Sequence, residues 1–373
     1  MRGRRRFVAL AVGATLALGL AACSSGGGSS GGTDWSTMKT AAAGGGMDKL
    51  IAAAKEEGTL NVIALPPTWA NYGAILKQFT DTYGIKINSA NPAGSSQDEV
   101  DAVKQQAGTK AAPDVLDVGL SVAVANTGLM TPYQVATWKD IPAAQKEASG
   151  LYYQDYGGYM AIGYDSAKFG TITSVNDLMD PKFKNSVALN GNPTEANAAE
   201  NGVMMVNLAE GGTLDDISKG VDFFGQLKQA GNFVPVQATS ATVKAGTTPV
   251  VIDWDYLNAT HGSDVSTWKV FVPDNEVLGG YYNQAINKDA PHPAAARLWE
   301  EFLFGQGPKD GQNLWLAGGA RPVEQPAMTD NGSINAADAA KLPPLNGTPV
   351  YMSDAQTTAA STYLASNWAQ AIS

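Results

Sequence analysis

Residues 59–88 read TLNVIALPPTWANYGAILKQFTDTYGIKIN. The pattern changes period twice within this stretch. TLNVIAL (59–65) is a mainly apolar run of strand length, and IKINSA (85–90) is a second strand-like segment. Between them Ile75, Leu76 and Phe79 fall at helical spacing within an amphipathic stretch from Trp69 to Tyr83, which Gly84 closes. Strand, helix and strand in this order form the repeating unit of an α/β sheet.

The same alternation extends in both directions. MDKLIAAAKEE (47–57) predicts a short helix stopped by Gly58. SQDE (96–99) reads as a capping box, with Ser96 as cap and Glu99 three residues on, opening a helix through Gln106. PDVLDVG (113–119) is a third strand, followed by a helix from Ser121 to Leu129. A second series begins near residue 152. Its strands are YMAIGYD (159–165), VALN (187–190), TTPVVI (247–252), KVFVPD (269–274) and YYNQAIN (281–287). Its helices are DDISKGVDFFGQLKQ (215–229) and HPAAARLWEEFLFG (292–305), where Ala295, Leu298, Trp299 and Phe302 share a face, and a last one from Ser353 to Gln370.

The N-terminus addresses location. Arg2, Arg4, Arg5 and Arg6 precede an apolar run too short to span a membrane, which is the form of a signal peptide. It ends at Leu20-Ala21-Ala22-Cys23, followed by SSGGGSSGG (24–32), a Gly/Ser-type tether. Cys23 is the single cysteine, so no internal disulfide can form. Residues 1–22 hold four arginines and no acid, so their removal moves the formal charge from −10 to −14. That balance argues against nucleic acid, whose binding rests on Lys and Arg at phosphates. About 350 remaining residues suggest two domains.

Catalytic motifs are sparse. There is no GxSxG, P-loop, GxGxxG, HExxH or CxxC. The two histidines are His261, expected at the surface, and His292, between prolines at a helix start. Asp253 and Asp255 could form a glycosidase-like pair, which keeps a secreted carbohydrate-active enzyme as an alternative. In open α/β sheets, ligands sit beyond the carboxyl ends of the strands. Here those ends carry Trp69, Asp117, Thr194, Glu195, and the group Asp253-Trp254-Asp255-Tyr256. Tyr281 and Tyr282 open a further strand. Acids interleaved with aromatics suit a cation. Trp138, Trp268, Trp299 and Trp315 read as packing residues.

Leu20-Ala21-Ala22-Cys23 resembles a lipobox, with Cys23 the lipidation site. With the tether and two α/β halves, the chain resembles the extracellular substrate-binding lipoproteins of bacterial ABC importers, in the polyamine-, iron- and thiamine-type group. The segments carrying this resemblance are the opening stretch, PDVLDVG, YMAIGYDSAKFG, SVNDLMDPKFKNSVALN, QAINKDAPHPAAARLWEEFLFG and GQNLWLAGGARPV. It covers residues 59–325 in order.

The resemblance implies an α/β, two-lobed periplasmic-binding-protein fold, each lobe a mixed, mostly parallel sheet flanked by helices, with the ligand between the lobes. The implied organisation is a signal peptide (1–22), a flexible tether (23–46), lobe 1 (47–157), lobe 2 (158–276), and a return to lobe 1 with the C-terminal helices (277–373). It further implies hinge closure on a small molecule, delivery to permease subunits, no enzymatic activity and no cofactor or resident metal. A monomer anchored through Cys23 on the outer face of the cell membrane is expected. Iron-binding members carry two adjacent tyrosines where this chain has Asp255-Tyr256. Polyamine-binding members place a stacking tryptophan where Trp254 stands, with a carboxylate partner for which Asp255 is suited. The later acid of that pattern is replaced by Tyr281 and Tyr282, which favours a mono-cation or a shorter amine. Anion-binding members would use the helix starts at Thr68 and Thr194, with Arg321 as the candidate cation.

Overall fold

The computed structural model describes residues 33–274, 277–342 and 347–373. The signal peptide, Cys23 and the SSGGGSSGG segment lie outside the described residues. Residues 34–46, expected as tether, are folded. Trp35 is buried, and Gly44 sits where a Cβ would lie 2.2 Å from its ring. Arg297 Nε and Nη2 donate to the carbonyls of Met38 and Ser36 at 2.7 and 2.9 Å, pinning this segment to a later helix. A tryptophan with a core to fill and an arginine to satisfy its carbonyls outweigh the local glycine content.

Met47–Glu57 forms α1, ended by Gly58 in the left-handed region. β1 (Thr59–Ile63), α2 (Tyr72–Tyr83), β2 (Lys86–Ala90), α3 (Ser96–Gln105), β3 (Val115–Val118), α4 (Leu120–Ala125) and β4 (Met130–Thr131) follow. Next come β5 (Tyr153–Asp165), α5 (Ser166–Phe169), β6 (Val187–Leu189), α6 (Asn197–Ala209), α7 (Ser218–Gln229) and α8 (Ser240–Lys244). β7 (Val250–Trp254), α9 (Asp255–Thr260), β8 (Trp268–Phe271), β9 (Val277–Asn287), α10 (Pro293–Leu303) and α11 (Gly311–Ala317) continue the chain. β10 (Arg321–Pro322), α12 (Gln325–Asn331), α13 (Ala336–Ala339), β11 (Pro349–Val350) and α14 (Asp354–Ala371) complete it.

Two differences from the sequence reading matter for the site. α2 begins at Tyr72, three residues later than expected, because Ala70 and Asn71 take left-handed backbone angles. Trp69 is thereby freed from the helix. The capping box of α3 is Ser95 with Asp98, one residue early. The Ser96 hydroxyl accepts instead from the Gly119 N–H at 3.0 Å, and the Glu99 carboxylate accepts from the Asp117 N–H at 2.9 Å. Both side chains thus hold the end of β3 rather than the start of α3.

The sheet is mixed. β1–β2 and β6–β7 pair in parallel, as strand–helix–strand units require. Antiparallel ladders run through the two long strands. β5 pairs with β9 from Tyr153 to Tyr159, then with β7 from Met160 to Tyr164 and with β8 from Ile162 to Asp165. β9 also pairs with β3 and β4. One strand therefore belongs to two neighbourhoods, changing partner between Tyr159 and Met160. Residues 34–373 form one compact unit. α10 packs on α1, and its Leu298 and Trp299 are fully buried, with Trp299 edge-on to Phe79 of α2. Trp315 is also fully buried, so both have the packing role expected of them.

Candidate functional site

A cleft of about 440 Å³ opens at the carboxyl ends of β1, β3, β6 and β7. This volume lies in the usual range for small-molecule sites. One wall comes from residues 64–117 and includes Thr68, Trp69, Glu99 and Asp117. The other comes from residues 190–261 and includes Asn190, Glu195, Asp253 and His261. The long strands β5 and β9 supply Tyr156 and Tyr282. These two rings stack with centroids 5.6 Å apart, and Trp69 meets Tyr282 edge-on at 5.7 Å. The cleft thus has an aromatic surface of three side chains.

Asp117 is the centre of a buried hydrogen-bond network. Its Oδ2 accepts from the Tyr72 hydroxyl at 2.7 Å and the Tyr156 hydroxyl at 3.1 Å. The Tyr156 oxygen accepts from the Trp69 indole N–H at 2.8 Å. Gln284 Nε2 donates to Asp155 Oδ2 at 2.7 Å and to the Tyr72 oxygen at 3.3 Å, linking a second buried acid. Burial pushes the Asp117 carboxyl up to about 7, against the two tyrosine hydroxyls that favour its charged form. Burial and then the Asp117 charge hold the Asp155 and Glu99 carboxyls well above the usual range. The Asp117 Oδ1 atom is buried and has no partner.

On the opposite wall, Asp253 Oδ2 accepts from Asn190 Nδ2 at 3.0 Å and its Oδ1 from the Trp254 N–H at 2.8 Å. Burial raises this carboxyl to about 7 as well. His261 is buried, not exposed as expected, because its ring packs edge-on against Trp268 at 5.3 Å. Burial pushes its pKa down, so the ring is neutral, and its Nδ1 is buried without a partner.

Of the ten residues expected at the ligand, five line this cleft: Trp69, Asp117, Glu195, Asp253 and Tyr282. Five do not. Trp254 is fully buried, its ring where a Cβ on Gly280 would come within 2.4 Å. Asp255 is also buried: Oδ2 accepts from Arg321 Nη1 at 2.9 Å and Oδ1 from the Tyr159 N–H at 3.0 Å. Burial raises its carboxyl and Arg321 offsets part of that rise. Tyr256 packs beside Gly158, Tyr281 lies against Tyr351, and Thr194 is exposed with its N–H on Asn192.

The cause is the strand register. β7 runs two residues further than expected, so Asp253 and Trp254 both lie in the strand and point to opposite sides. Asp255 leaves the strand to begin α9 and turns to Arg321, so Asp253 and Asp255 do not face one substrate as a catalytic pair would. Arg321 is engaged by Asp255, with its guanidinium over the Tyr159 ring at 4.5 Å, and is not part of the cleft. The sequence reading missed Tyr156, Asn190, Asn197, Gln237 and His261, which also line the cleft. Asn190 ends the VALN strand and could have been found by placing that junction two residues earlier. Tyr156 lies within a strand and carries no such signal.

Two α/β halves joined through long shared strands, with a polar cleft at the strand ends, define a solute-binding protein of the periplasmic type. Residues 113–340 match the family described as bacterial extracellular solute-binding protein, and the chain belongs to that family. Its members act outside the cytoplasm. No curated protein sequence matches the chain. Solved structures share the fold at low identity. Iron-bound HitA from Pseudomonas aeruginosa is 19% identical with TM-score 0.62, covering 84% of this chain and 99% of that one. AfuA from Actinobacillus pleuropneumoniae, with fructose-6-phosphate bound, is 17% identical with TM-score 0.62, covering 84% and 97%. A protein from Listeria monocytogenes named as a spermidine/putrescine ABC transporter is 14% identical with TM-score 0.62, covering 84% and 98%. Among the described residues no helix is long and apolar enough to cross a membrane, and no group of three or more His, Cys, Asp and Glu is arranged for a metal ion.

Proposed function

We propose that this protein is the solute-binding component of an ABC importer, anchored outside the membrane by a lipid on Cys23, and that it carries a small organic cation. One observation carries the choice of ligand. The cleft is lined by Asp98, Glu99, Asp117, Glu195 and Asp253, and by no lysine or arginine among the described residues. An anion would meet repulsion there, whereas an ammonium group would regain by ion pairing part of what it loses on leaving water. Trp69 and Tyr282 offer aromatic surface, Tyr156 being closed between Tyr282 and Trp315, and a cation over a ring face gains roughly 0.5–2 kcal/mol. Their roles replace those first expected of Trp254 and Asp255.

The lobes would meet at β5 and β9. The change of partner in β5 after Tyr159 supports the expected boundaries of 47–157 with 277–373 for one lobe and 158–276 for the other. The protein would bind, close and hand its solute unchanged to a permease. A thermal-shift screen of amines, sugars, phosphates and Fe³⁺ tests the reading through binding linkage. Amines should raise the melting temperature, and the Asp117→Asn variant should lose that response. Stabilisation by Fe³⁺ with a visible tyrosinate-to-iron band, or by sugar phosphates alone, would overturn it.

A further inference from the structure

Two buried polar atoms in the cleft lining lack a partner, and they stand on opposite walls: Asp117 Oδ1 and His261 Nδ1. Asp117 is 8% exposed and His261 6%. Buried polar groups are rarely left unpaired, and each unmet one costs about 1–3 kcal/mol. In a binding protein such atoms mark what the ligand must supply. Their chemistry differs. Asp117 offers an anionic acceptor. His261 offers a neutral ring nitrogen, held neutral by burial.

From this pair we infer that the solute is an amine with a single positive charge and a neutral hydroxyl or amide arm, of the amino-alcohol or amino-sugar class, with His261 determining the choice of that arm. The inference rests on the cation reading above and narrows it. The other acids do not provide a second anchor of equal quality. Both Asp253 oxygens already take donors, the Glu99 carboxylate takes the Asp117 N–H, and Asp98 caps its own helix. Glu195 is exposed at the edge. A second ammonium beside His261 would be desolvated against an uncharged ring. A carboxylate arm would meet Asp253 and Glu195 without a lysine or arginine in the lining. Besides Asp253, whose two oxygens already take donors, and exposed Glu195, the wall that carries His261 is rich in neutral hydrogen-bonding groups, namely Asn190, Gln237, Thr239, Ser240 and Thr260. Hydroxyl or amide groups match it. Polymethylene stems do not.

The test is calorimetric titration of the full chain at pH 7 with glucosamine, ethanolamine, glucose, putrescine and spermidine. Glucosamine should bind at least about tenfold more tightly than glucose or putrescine, the scale of one added hydrogen bond. Asp117→Asn should weaken glucosamine by about a hundredfold, the scale of a lost charged partner. His261→Phe retains a ring against Trp268 and removes the nitrogen. It should weaken glucosamine about tenfold and leave putrescine unchanged. Tighter binding of putrescine or spermidine, abolished in Asp117→Asn, would overturn this inference and leave the cation reading standing. Unchanged glucosamine affinity in His261→Phe would overturn it too. Binding of no amine would overturn both.

Discussion

Asp117 has a pH signature that ties the chemistry of the cleft to a measurement. Its carboxyl is raised to about 7 by burial, and it faces Tyr72, Tyr156, Glu99 and Asp155, none of them a cation. A cationic solute binds the ionised form, so it must displace a proton below that value. Affinity for ethanolamine, whose simple ammonium group stays charged across this range, should rise as pH increases through about 7 and then level off. Titrations at pH 5.5, 6.5 and 8 would show this, and a flat profile would remove Asp117 from the contact. The two tryptophans separate in the same way. Trp69→Ala should weaken amine binding with little change in stability. Trp254→Ala should leave a large cavity under Gly280 and cost about 3–5 kcal/mol in denaturant unfolding. In the sequence, Trp254 stands where aromatics and acids cluster. Residue type was legible, but side-chain direction was not, since neighbouring strand residues face opposite sides and the sequence does not show where the strand ends.

At the scale of elements, most strands and helices were visible in periodicity, and their ends were not. The start of α2 moved because Ala70 and Asn71 are left-handed, and the Asn71 side chain donates to the Leu314 carbonyl, a contact from 243 positions away. Helix ends are also closed by distant partners. The first N–H groups of α10, on Ala294 and Ala295, donate to the Glu57 carboxylate at 3.0 and 2.7 Å. Glu57 belongs to α1, and no local capping rule would have named it. Glu57→Ala should destabilise the fold by about 1–2 kcal/mol, read from urea unfolding. The crossing of β5 and β9 depends on small residues. Gly158 pairs with Gly280, and Gly280 accommodates the Trp254 ring. Gly280→Ala should therefore overpack this crossing and cost roughly 1–3 kcal/mol.

At the scale of the whole molecule, the buried acids set stability. Asp117, Asp253, Glu200 and Glu324 are each raised to about 7, and Glu300 to about 8. Their native pKa values exceed the unfolded ones, so the folded state holds more protons between about pH 4 and 8, and stability falls as pH rises through that window. Urea unfolding of the ligand-free protein should show a higher midpoint at pH 6 than at pH 8. A bound amine opposes that decline, adding about 2.7 kcal/mol at a hundredfold excess over its Kd. The C-terminal helix α14 joins regions far apart in sequence. It packs on α4 and α7, and Glu200 of α6 accepts from both Ser121 and Ser361 at 2.9 and 2.7 Å. Trp368 fills a pocket with Phe224 and Phe233, and its loss should cost about 3–5 kcal/mol.

The α/β class, the order of strands and helices, and the acidic, aromatic character of the strand ends followed from the sequence alone, because they depend on local period and residue type. Tertiary structure decided which acids face the cleft. Asp117 and Asp253 face it, whereas Asp255 turns away to Arg321, a residue 66 positions along the chain. It also buried His261 and brought Tyr156 to Tyr282. Those outcomes depend on long-range packing and strand register, where a shift of one residue moves a side chain to the other side of the sheet.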